Sequence, residues 1–161
     1  MKLLLIYITV LFTFSNCISQ PENNSTPLNK PVATDTANTV TGLEMHLSAF
    51  GVESDYAPTI DVNIDFTADS IVVHRSYYNP DIKPSTYVLH KNEIQGILAL
   101  LKHADLTKLK ENYHSGGTDQ PTSTTIIYTT KKTYKIVDYG MREDSLLMKL
   151  YDMVYKYEDF K

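Results

Sequence analysis

The sequence predicts an α+β domain: an antiparallel sheet of about five to six strands with two helices packed on one face, in the order β-β-β-β-α-β-β-α. Three observations carry this. From Gly42 onward apolar and polar residues alternate, the period of a strand with one face buried. Twice the period switches to helical spacing, after Asn92 and after Asp144, as in a surface helix with one apolar stripe. Strand signals also come in runs, not in strict alternation with helices, which segregates the helices to one face of the sheet.

The elements follow in order. Leu43, Met45 and Leu47 share one face of a first strand; Ile60, Val62, Ile64 and Phe66 share one face of a second, with Asp61, Asn63 and Asp65 opposite. Thr67-Ala68-Asp69-Ser70 turns the chain into a third strand, Ile71 to Tyr78, which Asn79-Pro80-Asp81 ends. A fourth runs from Ser85 to His90. Asn92 can cap the first helix with Gln95 three residues later, and Ile94, Ile97, Leu98 and Leu101 build its apolar stripe. The helix stops near His103, with Leu106 and Leu109 on a short extra turn. Residues 111 to 122 read as a loop. Thr124 to Thr130 and Thr133 to Tyr139 form a hairpin around Lys131-Lys132, and Asp144 starts a last helix carrying Leu146, Leu147, Leu150 and Val154. Hairpin-then-helix occurs twice, but the two copies share no residue motif, so no internal repeat is read.

The chain divides into residues 1–16, residues 17–41 and a single domain over 42–161. Met1-Lys2 is a minimal positive start, and Leu3 to Phe14 is an apolar run of a dozen residues. Such a run fits the apolar core of a signal peptide and falls short of the roughly 20 residues that span a bilayer. Cys17 is the only cysteine, which leaves no intrachain disulfide and no thiolate metal cluster. Phe14-Ser15-Asn16-Cys17 resembles the cleavage box of bacterial lipoprotein signals, though the commonest box has Leu in place of Phe14 and Ala or Gly in place of Asn16. The resemblance implies cleavage before Cys17, whose sulfur receives a diacylglyceryl group and whose amine is acylated, a palmitate-type anchor. At about 0.8 kcal/mol per buried methylene, two or three chains hold a protein on a membrane. Ile18, not Asp, follows the cysteine, so the retention signal of some inner-membrane lipoproteins is absent and the outer membrane is the expected location. Residues 18–41, rich in Asn, Thr, Pro and Ser, bury too little surface to offset chain entropy and read as a flexible tether spanning some 25 to 30 Å.

Charge narrows the partners. Removal of residues 1–16 takes Lys2 from the 15 basic side chains and nothing from the 19 acidic ones, so the mature chain is more acidic still. No basic footprint for a phosphate backbone exists, and nucleic acid is excluded as an expected partner. The remaining length suits one domain with a real core.

Over residues 43 to 157 the element order and the segments TDQPTSTTIIYTTKKTYKIVDYG and SLLMKLYDMV resemble a domain family of unknown function frequent in secreted lipoproteins of the Bacteroidetes type. In that family a Thr-Asp-x-Pro loop precedes a hairpin ending in a Val-x-Asp-Tyr-Gly-like turn, matched here by Thr118, Asp119 and Pro121 and by Val137, Asp138, Tyr139 and Gly140. Many members carry a cysteine pair near a Cys-Pro-x-Tyr motif. This chain has Ala57-Pro58-Thr59-Ile60 there, so no disulfide or redox role carries over, and the resemblance brings no established activity.

Few residues suggest chemistry. His114-Ser115-Gly116-Gly117-Thr118-Asp119 gathers an imidazole, a hydroxyl and a carboxylate in one loop, the material of nucleophilic catalysis, but without a nucleophile elbow or oxyanion hole. The structural role is the better fit: Gly116 and Gly117 permit positive φ, and Asp119 before Pro121 accepts backbone hydrogen bonds in a turn. Asp61-x-Asn63-x-Asp65 fails as a calcium loop, since Phe66 and Val72 stand where Gly and Glu are needed. The five histidines have neither helical nor strand metal spacing, so no metal and no cofactor is expected. Tyrosine is the most suggestive residue, with 12 in the chain against no tryptophan. Tyr77, Tyr78, Tyr87 and Tyr128 lie on predicted strands and offer flat area with a polar tip, suited to protein or sugar contacts. The expectation is a non-catalytic, membrane-tethered module that binds an envelope protein or ligand. The alternatives are an immunity or inhibitor lipoprotein, and a small hydrolase built on His114 and Asp119.

Overall fold

The structure, a computed structural model, describes residues 38–49 and 57–156; Cys17, with the signal-like segment and most of the tether, lies outside them. Four strands, β1 (Val40–Ser48), β2 (Pro58–Ile64), β3 (Ser70–Tyr77) and β4 (Ser85–His90), precede helix α1 (Lys91–His103). A 3-10 turn over Leu106–Lys108 follows, then β5 (Asn112–His114), β6 (Thr122–Thr129), β7 (Thr133–Tyr139) and helix α2 (Ser145–Tyr155). The strands form one sheet in the order β4-β3-β2-β1-β6-β7-β5. All pairings are antiparallel except β5 with β7, which is parallel.

The class is α+β as expected, but the sheet is mixed and has seven strands, not five or six antiparallel ones. The difference is β5, which falls inside the stretch read as a loop. Three residues cannot display a period of two; Asn112–His114 becomes a strand only by pairing with Val137–Tyr139. Its buried Tyr113 ties it down, with a hydroxyl that accepts from the Lys110 amide at 3.0 Å and donates to Asp144 Oδ2 at 3.2 Å.

The core lies between the sheet and the two helices. Leu43 of β1 stands opposite Ile64 on one side and Ile127 on the other, a row of three side chains with no exposed surface. Over it α1 lays Ile94, Ile97 and Leu101, and α2 lays Leu147, Leu150, Tyr151, Val154 and Tyr155.

Caps fix the helix ends. The first residue of α1 is preceded by His90, whose amide donates to Glu93 Oε2 at 2.8 Å. This corrects the expected cap at Asn92: Gln95, its presumed partner, instead donates to the Phe66 carbonyl at 2.9 Å and ties the helix to the β2–β3 turn. At α2 the expectation stands, since Asp144 Oδ1 accepts from the amides of Leu146 and Leu147 at 2.9 and 3.1 Å. Its far end is held from three elements. Tyr87 of β4 donates to the Val154 carbonyl at 2.5 Å, Arg75 of β3 donates to the Tyr155 carbonyl at 3.3 Å, and Lys156 pairs with Glu93 of α1. Orphan carbonyls and the negative end of the helix dipole meet cations there, and the Lys156 ammonium holds the Glu93 carboxyl below its ordinary value. No helix among the described residues is long and apolar enough to cross a membrane.

Candidate functional site

The helices cover one face of the sheet, and along each strand alternate residues turn to the other. On that face, register builds a row across four strands: His74 of β3 stands opposite Asp61 of β2, Asp61 opposite His46 of β1, and His46 opposite Thr124 of β6. His46 Nδ1 lies 2.5 Å from Asp61 Oδ1. A carboxylate can only accept, so that nitrogen carries the proton.

Around this pair is a shallow groove of about 530 Å³, lined by Glu44, His46, Asp61, Asn63, Thr124 and Ile126. Tyr128 adjoins it. Its ring lies over Gly42, where a Cβ would come within 3.4 Å of the ring. Its hydroxyl hydrogen-bonds Glu44, and that carboxylate raises the phenol above its ordinary value. Toward the β4 edge the same face turns apolar. Val72 and Val88, directly paired, are 55% and 39% exposed, and Tyr78, just past β3, is 79% exposed.

The four tyrosines singled out in the sequence therefore divide between two faces. Tyr78 and Tyr128 belong to the open side. Tyr77 is partly buried and follows Val73 and Arg75 to the helix side. Tyr87 is a clamp, with its hydroxyl on α2 and its ring 4.4 Å beneath the Arg75 guanidinium. No single tyrosine face exists, because consecutive strand residues point opposite ways.

The 114–121 loop is structural in its contacts. His114 stacks on Tyr139 at 4.8 Å, and Ser115 Oγ donates to the Tyr139 carbonyl at 3.1 Å. The Tyr139 hydroxyl accepts from the Gln120 amide at 3.2 Å, and Pro121 supplies the carbonyl for the Gly140 amide at 2.9 Å. Of the two glycines only Gly117 has positive φ, at 132°; around Gly116 an added Cβ would meet nothing within 4 Å. Asp119 itself adopts φ 57°. Among the described residues no backbone amide bonds its carboxylate and no hydrogen bond joins it to His114, so the expected turn acceptor and the imidazole–carboxylate pair are both absent from the loop.

A buried polar cluster lies on the helix side, where sequence reading placed only part of a turn. Asp138, fully buried, accepts from the Tyr151 hydroxyl at 2.9 Å; Ser123, opposite it in register, bonds the Tyr155 hydroxyl at 2.9 Å. The two tyrosine rings stack at 5.8 Å. Burial raises the Asp138 carboxyl above its usual range and pushes both phenols up. These groups have no route to solvent and rigidify the seat of α2.

Sequence reasoning missed the His74–Asp61–His46 row because it exists only in the register; the one available signal was that Asp61 shares parity with the solvent face. Among the described residues no three His, Cys, Asp or Glu side chains are placed to hold a metal ion. A family model described as a domain of unknown function, DUF6438, matches residues 56–158. No curated protein and no solved structure matches the chain.

Proposed function

The chain belongs to the DUF6438 family, a domain of unknown function, and from that premise we propose that it is a non-catalytic binding module, anchored to the outer membrane through an acylated Cys17, that engages an envelope protein or ligand on the open face of its sheet. The observation that carries this reading is the sheet face that no element among the described residues covers. It holds the groove around His46 and Asp61 and, beside it, the exposed Val72, Val88 and Tyr78. A sheet needs one face buried for stability; three large apolar side chains exposed on the other contribute nothing to the core and suit a contact with a partner. In the 114–121 loop the Ser115 hydroxyl and the His114 ring are engaged with Tyr139, which favours the binding reading over the hydrolase one.

Affinity capture from envelope extract tests the face. The wild-type chain is compared with Asp61→Lys and Val72→Lys on the open side and with Lys149→Glu on α2. Loss of the same captured species from the first two only is the expected result; equal capture by all four chains removes the reading. The anchor is tested apart from it, by mass spectrometry of Cys17 and by membrane fractionation of Cys17→Ser.

A further inference from the structure

The two edges of the sheet are unlike. β5 closes one with three residues, whereas β4 ends the other with six, in unbroken register with β3 and without a lysine, arginine, carboxylate, proline or bulge. Those are the devices that ordinarily keep an edge from pairing. Among the described residues no strand lies beyond β4. Which of its backbone groups point outward follows from hydrogen bonds at the far edge. There the Val137 amide donates to the Glu111 carbonyl at 2.8 Å and the Ser115 amide to the Tyr139 carbonyl at 3.0 Å, so Val137 and Tyr139 face β5. Opposite residues of an antiparallel pair exchange both backbone bonds or neither. Carried through the register from β7 to β4, that rule turns Ser85, Tyr87 and Leu89 toward β3, and Thr86, Val88 and His90 outward. The His90 amide agrees, since it donates to Glu93 Oε2 and not to β3.

We propose that two copies of this chain join along β4, antiparallel about a two-fold axis at Tyr87 perpendicular to the sheet, so that the two sheets become one. In this register Thr86 of each copy stands opposite Val88 of the other, and each pair exchanges both bonds, which uses every outward amide and carbonyl of the two residues. Pro84 falls opposite His90. Pro84 has no N–H and the His90 amide is held by Glu93, so pairing leaves no donor unmet at either end. A strand of another protein could use the same bonds; a second copy is favoured because the donors stop on both sides of a frame centred on Tyr87, the symmetry that a strand paired with itself requires. The axis preserves parity, so both pairs of helices lie on one side and both open faces on the other. Val72 and Val88, 55% and 39% exposed, then border the seam. So narrow a seam buries less than the about 1,200 Å² of ordinary stable complexes, and the expected Kd is about 0.1 mM. The inference concerns the edge and stands whether or not the groove binds a partner.

The full chain, purified from its host in non-ionic detergent, is followed by residue-resolved amide hydrogen exchange at about 10 µM and about 1 mM. The expected result at the higher concentration is slowing of about fivefold at Thr86 and Val88, from mass action on that Kd. Asn112 and His114, whose amides point outward on β5, are unchanged. In an equal mixture of isotope-labelled and unlabelled chain, a contact between the Tyr87 α-protons of two copies marks the register. Val88→Lys sets like charges beside the seam, and Thr86→Pro removes an outward amide where an edge strand accommodates proline. Each variant, checked for an unaltered melting temperature, loses the concentration dependence at the remaining edge amides. Exchange independent of concentration, protection that appears only when envelope extract is added, equal slowing at Asn112 and His114, or an undiminished response in both variants overturns the proposal.

Discussion

At Asp138 a carboxyl group without exposed surface is held by the Tyr151 hydroxyl, and burial raises it above its usual range. The native state therefore keeps the proton to higher pH than the unfolded chain does. Stability from this group is greatest below the ordinary carboxylate range and falls as pH rises from there through the raised native value. In Asp138→Asn that part of the slope disappears, so wild type and variant converge in acid and separate toward neutrality, as urea melts across pH 3 to 7 would show. Gly140 poses a different constraint. Its φ is +90°, and an added Cβ would lie 1.6 Å from Ser115 Oγ. Gly140→Ala is expected to cost about 2 kcal/mol or more from strain and clash, and removing the hydroxyl with Ser115→Ala restores only the steric part. Gly116→Ala, where φ is not positive and nothing stands in the way, is expected to be neutral or to stabilise by about 0.4–1 kcal/mol; thermal melts distinguish the three.

Among the elements, α2 depends most on groups that others supply. Tyr87→Phe keeps the ring beneath Arg75 and removes the bond to the Val154 carbonyl, leaving a partly buried acceptor unsatisfied at a cost of about 1–2 kcal/mol. Hydrogen exchange at the last turn of α2 should rise before the rest of the helix loosens. Most elements were legible in the sequence for a common reason: β4 and β7 stand on the residues where alternation put them, and Asp144 caps α2 as its side chain allows, because these features are local. What was illegible was set by distant partners. Nothing near Asn112–His114 marks it as a strand, since the parallel pairing with β7 makes it one. Asn92 lost its cap to His90 because Glu93 reaches back and Gln95 is drawn off to Phe66. For the candidate site, parity placed Asp61 on the open face, but only register set it between His46 and His74.

For the molecule as a whole, the two faces of the sheet divide the work: one closes the core under α1 and α2, and the other carries the groove and the exposed Val72, Val88 and Tyr78. The sheet order places β1 between β2 and β6, so that Val40 meets Thr129 and Ser48 meets Thr122, with most of the domain intervening. Hairpins β1–β2, β3–β4 and β6–β7 can each zip locally, whereas this central seam must close a long loop before it gains anything. Topologies of that kind fold in milliseconds to seconds. Leu43→Ala, at the middle of the seam, is expected to cost about 2–5 kcal/mol and to act on the unfolding limb of a chevron while barely slowing refolding. A nascent polypeptide with so late a closing step leaves β1 with one edge open until β6 has been made.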